Sequence, residues 1–282
     1  MKNRLFPLGH AAQRAGAALF LALAALLTGP PAQAQQFGIN DIVQAEILPG
    51  WQAADGSRMA ALRLSLNDGW YTYWRIPGDA GLPPRFNWSA SQNIQSVEPI
   101  WPAPEVYEQY GLRSIIYREE LILPLRIQPV NPDRPMTVRG DLSIGVCRET
   151  CIPADLEVSA SLRGAGQADE RISGSLALRP QAAENAGLRR TTCRMEPVAR
   201  GTDLTLRATL PRVGPDEFVV MELPNSGYWV SNTRTWREGG DLLAQARVSD
   251  PSRGPVGVSR SALAFSILSQ GRVVESTGCV GG

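Results

Sequence analysis

The sequence predicts an all-β protein with two immunoglobulin-like β-sandwich domains joined by a short linker. Apolar and polar residues alternate in runs of about 5–8 residues, the runs end at Gly, Pro, Asn or Asp, and helical periodicity is scarce. Short alternating runs separated by frequent turn signals are typical of antiparallel strands in a sandwich. The pattern leaves a β-barrel open as the alternative.

The first domain is predicted over residues 35–163. The aromatic run from Trp70 to Trp74 fits a strand with both faces in use, and we interpret these aromatics as core and edge packing. The other alternating runs are Leu62, Leu64 and Leu66; Leu121, Leu123, Leu125 and Ile127; Leu142, Ile144 and Val146; and Leu156 and Val158.

Residues 164–190 form the predicted linker, in which 168–178 can form a short helix that Pro180 stops. The alternation then resumes and predicts a second, smaller sandwich over residues 191–282. Its runs are Leu204, Leu206, Ala208 and Leu210; Phe218 to Met221; Leu242, Ala244, Ala246 and Val248; and Leu263, Phe265 and Ile267.

Residues 1–34 are predicted to be a cleaved secretory signal peptide. Three basic residues precede the apolar run Ala15 to Leu27, and Ala32-Gln33-Ala34 supplies a small-x-small cleavage pattern. The apolar run has about 13 residues, fewer than the roughly 20 that a membrane-spanning helix needs. We therefore expect a soluble protein exported to the periplasm.

The side-chain inventory excludes several function classes. The only histidine, His10, and the only lysine, Lys2, both lie in the predicted leader. Without the leader the charged residues nearly balance, so no basic footprint for nucleic acid is present. Catalysis through histidine, zinc held by histidine and Schiff-base chemistry are likewise excluded. Carboxylates, tyrosines, arginines and four cysteines remain.

The four cysteines allow three pairings, and the domain division favours Cys147 with Cys151 and Cys193 with Cys279. In the chain-entropy model, closing the long loop of the second pair stabilises by roughly 4–5 kcal/mol, whereas the short loop gives about 2. We interpret Cys193–Cys279 as a structural staple. The short loop contributes little stability, so the Cys147–Cys151 pair is expected to have a role other than stabilisation.

Cys147 and Cys151 are predicted to face each other across a tight hairpin through Arg148-Glu149-Thr150. Residues opposed in this way have Cα atoms about 4.5–5.5 Å apart, which suits a disulfide. Arg148 favours a thiolate nearby and Glu149 opposes it. The spacing alone is compatible with a redox pair, an inert hairpin staple or a Cu(I) site.

The segment Gly145 to Pro153 resembles the cysteine motif of the N-terminal periplasmic domain of DsbD-type thiol:disulfide interchange proteins, and most resembles the ScsB-like branch. The resemblance extends, in the same order, through Trp70 to Trp74, Pro77 to Pro84, Trp101 to Pro104, and Tyr110 to Glu119.

This resemblance implies an immunoglobulin-like domain whose cysteine pair relays electrons without a cofactor. The donor would be a thioredoxin-like or membrane-embedded protein, and the acceptors would be oxidised periplasmic proteins. It assigns the mixed disulfides to Cys151 and the resolving role to Cys147. Locally, Pro153 is expected to weaken strand pairing after Cys151 and leave that side accessible.

The resemblance also implies a cap over the sulfurs, which falls on Tyr107, Glu108, Gln109 and Tyr110. The cap position usually held by phenylalanine falls on Gln109, so either Tyr107 or Tyr110 shields the pair or the shielding is weaker. We interpret Glu108 and Asp79 as solvated loop carboxylates rather than modulators of a thiol.

This sequence departs from DsbD in two further features, the cysteine spacer and the domain content. The spacer between the cysteines has three residues, as in the ScsB-like branch. The sequence also contains no counterpart of the membrane-embedded and thioredoxin-like domains, so we expect any membrane donor to be a separate protein.

The sequence therefore predicts a periplasmic thiol–disulfide exchange protein that uses no metal. Two alternatives stay open at this point. One is a periplasmic Cu(I)-binding or copper-tolerance protein, and the other is a non-enzymatic adaptor in which both disulfides are structural.

Overall fold

The computed structural model describes residues 38–79, 81–252 and 256–282. The predicted signal peptide, residues 1–34, lies outside this part of the chain. No helix within it is both long enough and apolar enough to cross a membrane.

The first ten strands form the first sandwich. Their bounds are β1 Val43–Gln52, β2 Arg58–Leu66, β3 Tyr71–Gly78, β4 Arg85–Asn87, β5 Ile94–Pro99, β6 Glu105–Gln109, β7 Leu112–Arg118, β8 Glu120–Pro129, β9 Met136–Cys147 and β10 Cys151–Leu162, preceded by a 3-10 turn at Ile39–Asp41. One sheet has the order β1-β2-β8-β5, and the other has the order β10-β9-β3-β7-β6 with β4 paired to β9. The strands divide into two sheets with a shared apolar core, so the sandwich prediction is confirmed and the barrel alternative is wrong.

Burial follows the predicted alternation in the first part of β9 and the last part of β8, whereas Ile122 and Pro124 of β8 are buried as well. In β8, Leu123, Leu125 and Ile127 are fully buried, while Arg126 between them is exposed. In β9, Val146 points into the core and Cys147 belongs to a separate cluster on the opposite face. Successive side chains of a strand point to opposite faces, so the sheet that buries Val146 must present Cys147 on its outer side.

The segment 164–190 is structured along much of its length. Helix α1 (Glu170–Ala177) lies within the predicted helix 168–178, and its fully buried Ile172 packs on the outer face of the β1-β2-β8 side of the first sandwich. Farther along, β11 (Gln181–Ala182) already belongs to the second sandwich.

The second sandwich repeats the division into a four-stranded and a six-stranded sheet. The remaining elements are β12 Arg190–Val198, β13 Gly201–Thr209, β14 Phe218–Glu222, β15 Trp229–Val230, β16 Arg234–Glu238, β17 Asp241–Ser249, a 3-10 turn at Arg260–Ala262, β18 Ala264–Ser269, β19 Arg272–Thr277 and β20 Val280–Gly281. One sheet has the order β11-β19-β18-β14, and the other has the order β15-β17-β13-β12-β20 with β16 paired to β17.

The β11-β19-β18-β14 sheet is covered on both faces. In β14, Val219 and Met221 point into the core of the second sandwich, whereas Phe218 and Val220 belong to the apolar cluster of the first. A strand buried on both faces is a nearly continuous apolar run, as Phe218 to Met221 is. The two sandwiches therefore share an apolar interface.

An ion cluster fixes this interface at β3. Arg75 donates to Glu222 at 2.9 Å, to Glu275 at 2.7 Å and to the Ser266 hydroxyl at 3.1 Å. The Arg75 and Glu222 side chains are only 25% and 14% exposed. Removing one member of a poorly solvated pair leaves the other charge uncompensated, which costs more than an exposed pair contributes.

We predict that Arg75→Met lowers the free energy of unfolding by roughly 2–3 kcal/mol, somewhat less than for a fully buried pair. Arg247→Met is the matched control, because Arg247 pairs with Asp203 at 2.7 Å but its side chain is 54% exposed. That change should cost less than about 1 kcal/mol. Denaturant unfolding measures both, and equal small losses would contradict the role given to Arg75.

Candidate functional site

The two cystines follow the predicted pairing. Cys147 ends β9 and Cys151 begins β10 directly opposite it, with Cα atoms 4.1 Å apart. The turn is closed by the Arg148 N–H, which donates to the Thr150 carbonyl at 3.3 Å. Cys193 and Cys279 form the second disulfide, which joins β12 to the segment before β20.

Strand pairing beyond Cys151 differs from the prediction. The ladder between β9 and β10 continues without a break to Leu162, and Pro153 lies opposite Gly145. The expectation that Pro153 weakens this pairing is therefore wrong. A Cα separation of 4.1 Å belongs to the closely spaced, non-hydrogen-bonded pairs. In that register the nitrogen of Pro153 faces away from β9, on an edge strand, and no ladder bond is lost.

A tyrosine hydroxyl contacts both sulfurs of the Cys147–Cys151 disulfide. Tyr73 on β3 has its Oη atom 3.0 Å from Cys147 Sγ and 3.2 Å from Cys151 Sγ. Disulfide sulfurs carry no hydrogen, so the phenol is the donor. Tyr71, two residues earlier, lies opposite Cys147 in the sheet and meets the Tyr73 ring edge-on at 5.8 Å.

Both phenols remain protonated at physiological pH. Burial, with a smaller contribution from Tyr71, raises the pKa of Tyr73 far above its usual value. Burial also raises the pKa of Tyr71, whose hydroxyl is hydrogen-bonded to that of Tyr73. Tyr73 can therefore offer a hydrogen bond to a sulfur whether that sulfur is disulfide-bonded or released as a thiolate.

Two glycines leave room for the Tyr73 ring. A Cβ atom at Gly145 would come within 3.1 Å of the ring, and one at Gly81 would come within 2.6 Å. Gly145 lies two residues before Cys147 on the same face of β9. The ring thus fills space that any side chain at these positions would take.

The two cysteine residues differ in exposure. Cys147 is fully buried, whereas Cys151 is exposed. Arg148, between them in sequence, lies with its guanidinium 5.5 Å from the centroid of the Trp70 ring. An attacking thiolate from another protein can therefore reach Cys151 before Cys147.

The predicted cap is a β-hairpin, formed by β6 and β7 and called here the cap hairpin, Glu105–Arg118. Tyr110 and Gly111 make its two-residue turn with φ of 55° and 76°, a combination typical of a type I′ turn. Tyr110 is 95% exposed and so does not cover the sulfurs. Tyr107 packs against the cluster that contains Cys147, with its ring 5.8 Å from that of Tyr71.

The other cap residues are exposed, and neighbouring side chains brace the hairpin. Gln109 and Glu108 are exposed, and Glu108 accepts from Arg113 at 3.3 Å. Asp79 accepts from the Arg113 N–H at 2.9 Å and donates its own N–H to the Arg113 carbonyl at 2.8 Å. Arg118 lies 4.5 Å from the centroid of the Tyr107 ring.

Sequence reasoning missed the contacts of Tyr73 and Tyr71 with the cystine, because it assigned both to packing. The alternation in β3 carried a signal: Trp74 points into the core, so Tyr73 must point out. What the alternation does not contain is the register of β3 against β9.

Residues 44–162 match the family model of the N-terminal domain of the thiol:disulfide interchange protein DsbD. The first sandwich is a DsbD-type N-terminal domain. Its site residues, from Tyr71 to Cys151, all lie inside the matched range.

The similarity to one solved structure extends beyond the DsbD-type domain. The N-terminal periplasmic domain of ScsB from Proteus mirabilis matches with a TM-score of 0.61 and 22% identity, over 85% of this chain and 92% of that one. This similarity shows the fold. No curated protein sequence matches the chain. In the described residues of the DsbD-type domain and the second sandwich, no three His, Cys, Asp or Glu side chains are grouped to hold a metal ion.

We predict that Tyr73→Phe raises the pKa of the thiol it contacts in the reduced protein by about 1–2 units. A hydrogen bond to a charged group contributes about 1.5–3 kcal/mol, and one pKa unit is about 1.4 kcal/mol. Thiolate is then lost at pH values where the wild type still has it. The pH dependence of iodoacetamide labelling, resolved by peptide, measures this shift.

Tyr117→Phe is the matched control for Tyr73→Phe. The hydroxyl of Tyr117 is also buried, but it donates to the Pro102 carbonyl at 2.7 Å and contacts neither sulfur. This variant should leave the thiol pKa unchanged. Equal pKa values in the wild type and both variants would show that Tyr73 does not stabilise a thiolate.

Proposed function

We propose that the chain is a periplasmic thiol–disulfide exchange protein that relays electrons through Cys147 and Cys151. One observation carries the proposal: a cystine that joins a fully buried cysteine to an exposed one lies against a protonated phenol within a DsbD-type domain. Exposed cystines in small rings are the exchangeable ones.

Reduction of the cystine follows from this arrangement. A donor thiolate attacks Cys151 Sγ and forms a mixed disulfide, the Cys147–Cys151 bond breaks, and its electron pair leaves on Cys147 Sγ. The Tyr73 hydroxyl, already 3.0 Å from that sulfur, donates to the departing thiolate. Stabilising the leaving thiolate speeds exchange. The second donor thiolate then attacks the mixed disulfide and releases Cys151, so the donor leaves oxidised by two electrons.

Delivery of the electrons reverses the order. The Cys151 thiolate attacks a disulfide of an oxidised partner, and the partner's released thiolate takes up a proton. Cys147 then attacks Cys151 Sγ, which re-forms the cystine and frees the reduced partner. A thioredoxin-like protein, or a membrane-embedded donor on a separate chain, is the proposed reductant. No metal or organic cofactor enters either half-reaction.

The predicted export of the chain supports the same function. Structural disulfides persist in an oxidising compartment, and the Cys193–Cys279 pair suits the periplasm in this way. The similar ScsB domain is described as periplasmic.

We predict that Cys147→Ser accumulates a covalent mixed disulfide with a thioredoxin-like protein, because Cys151 can attack and no thiol resolves the product. Cys151→Ser should accumulate little, since Cys147 is fully buried. Non-reducing electrophoresis of periplasmic extracts, with the trapped bands identified by mass spectrometry, compares the two variants.

The outcomes of the trapping experiment separate the alternatives. If Cys151→Ser is the better trap, the roles of the two cysteines are reversed. If neither variant traps a partner and the reduced wild type binds copper, the relay proposal fails in favour of the Cu(I) site. If the pair is only ever recovered as cystine, both disulfides are structural and the chain is an adaptor.

A further inference from the structure

Arg113 connects the cap hairpin to the second sandwich. From β7 it donates to Glu108 on β6 at 3.3 Å, within the hairpin. Its guanidinium carbon also lies 4.4 Å from the centroid of the Phe218 ring, which belongs to β14. A guanidinium over an aromatic face is an attractive contact. This one side chain of the cap hairpin therefore contacts both the opposite strand of the hairpin and the second sandwich.

Phe218 is a fixed point for this contact. It is only 5% exposed, and its strand is anchored four residues later, where Glu222 pairs with Arg75. The Arg113 backbone is held as well, by its two hydrogen bonds with Asp79. Both residues of the Arg113–Phe218 contact are therefore held in place by their own sandwich.

The space behind the hairpin is open. A cleft of about 920 Å³ separates the hairpin residues Glu105, Val106 and Glu108 from the 268–271 turn of the second sandwich. The hairpin is held on the cystine side by Tyr107 and on the other side by Arg113. The hairpin can move away from the sulfurs only into this cleft, and Arg113, already in contact with the buried Phe218 ring, blocks that movement until the contact rearranges.

We infer that the second sandwich holds the cap hairpin closed over the cystine through the Arg113–Phe218 contact. Partner docking must then break or rearrange this contact so that an attacking thiolate gains full access to the Cys151 end of the Cys147–Cys151 bond. The inference concerns the regulation of the same site and rests on the proposed exchange function. It gives the second sandwich a role in setting how readily the cystine opens.

The test is the rate at which dithiothreitol reduces the Cys147–Cys151 bond in the native full-length protein, followed by quenched alkylation and peptide mapping. Phe218→Leu keeps an apolar side chain in the interface but removes the ring face. We expect reduction about threefold to tenfold faster than in the wild type, which corresponds to losing about 0.7–1.4 kcal/mol of closure.

Three further variants control the result. Met221→Leu changes a residue of the same strand that faces the opposite core and is only 3% exposed, so the rate should not change. Arg113→Met removes the contacts with Glu108 and Phe218, and Arg113 is partly exposed. This variant should accelerate reduction at least as much as Phe218→Leu, and it keeps the test valid if Phe218→Leu folds poorly. Tyr107→Ala removes the shield itself and gives the rate of an uncovered cystine.

Equal rates in the wild type, Phe218→Leu and Arg113→Met would overturn the inference. So would a wild-type rate equal to that of Tyr107→Ala, because the hairpin would then shield nothing. Acceleration by Met221→Leu equal to that by Phe218→Leu would also overturn it. Since the reductant is a small molecule, failure of the protein to exchange with reduced thioredoxin, measured separately, overturns the proposed function instead.

Discussion

The contact between the Tyr73 hydroxyl and the two sulfurs depends on how β3 is aligned with β9. Tyr71 lies opposite Cys147, which in turn lies opposite Cys151, so three strands bring the cystine and the tyrosines to one face of one sheet. The opposite face of the same strands carries the core residues Trp74 and Val146. A slip of one residue would exchange the faces, turning the tyrosines toward the core and Trp74 and Val146 toward the outer face. The stability of the sandwich and the geometry of the site are therefore set by the same register.

That register also links the site to the second sandwich. Tyr71 and Tyr73 lie on the outer face of β3, and Arg75, two residues farther along the same strand, joins the ion cluster with Glu222 and Glu275. The cap hairpin is joined to the same neighbour through Arg113. In this account the second sandwich supports the DsbD-type domain directly and is not an independent module on a flexible linker.

Much of the fold could be predicted from the sequence because it depends on local alternation. The β8 strand and the hairpin between Cys147 and Cys151 are examples, since a period of two and a three-residue spacer contain the needed information. Contacts between distant strands could not be predicted in this way. The choice of Tyr107 over Tyr110 as the shield depends on a tight turn, and the tolerance of Pro153 depends on which pairs of the ladder are hydrogen-bonded. The docking of the second sandwich was signalled only by the unbroken apolar run beginning at Phe218.

The central claim is that the Cys147–Cys151 cystine is exchangeable while Cys193–Cys279 is structural. Its most direct test is equilibration of the native protein with graded ratios of reduced and oxidised glutathione, followed by alkylation and peptide mapping of all four cysteines. The account predicts that Cys147 and Cys151 become reduced under conditions in which Cys193 and Cys279 remain fully bonded. Reduction of both pairs over the same range, or equal resistance of both, would contradict it.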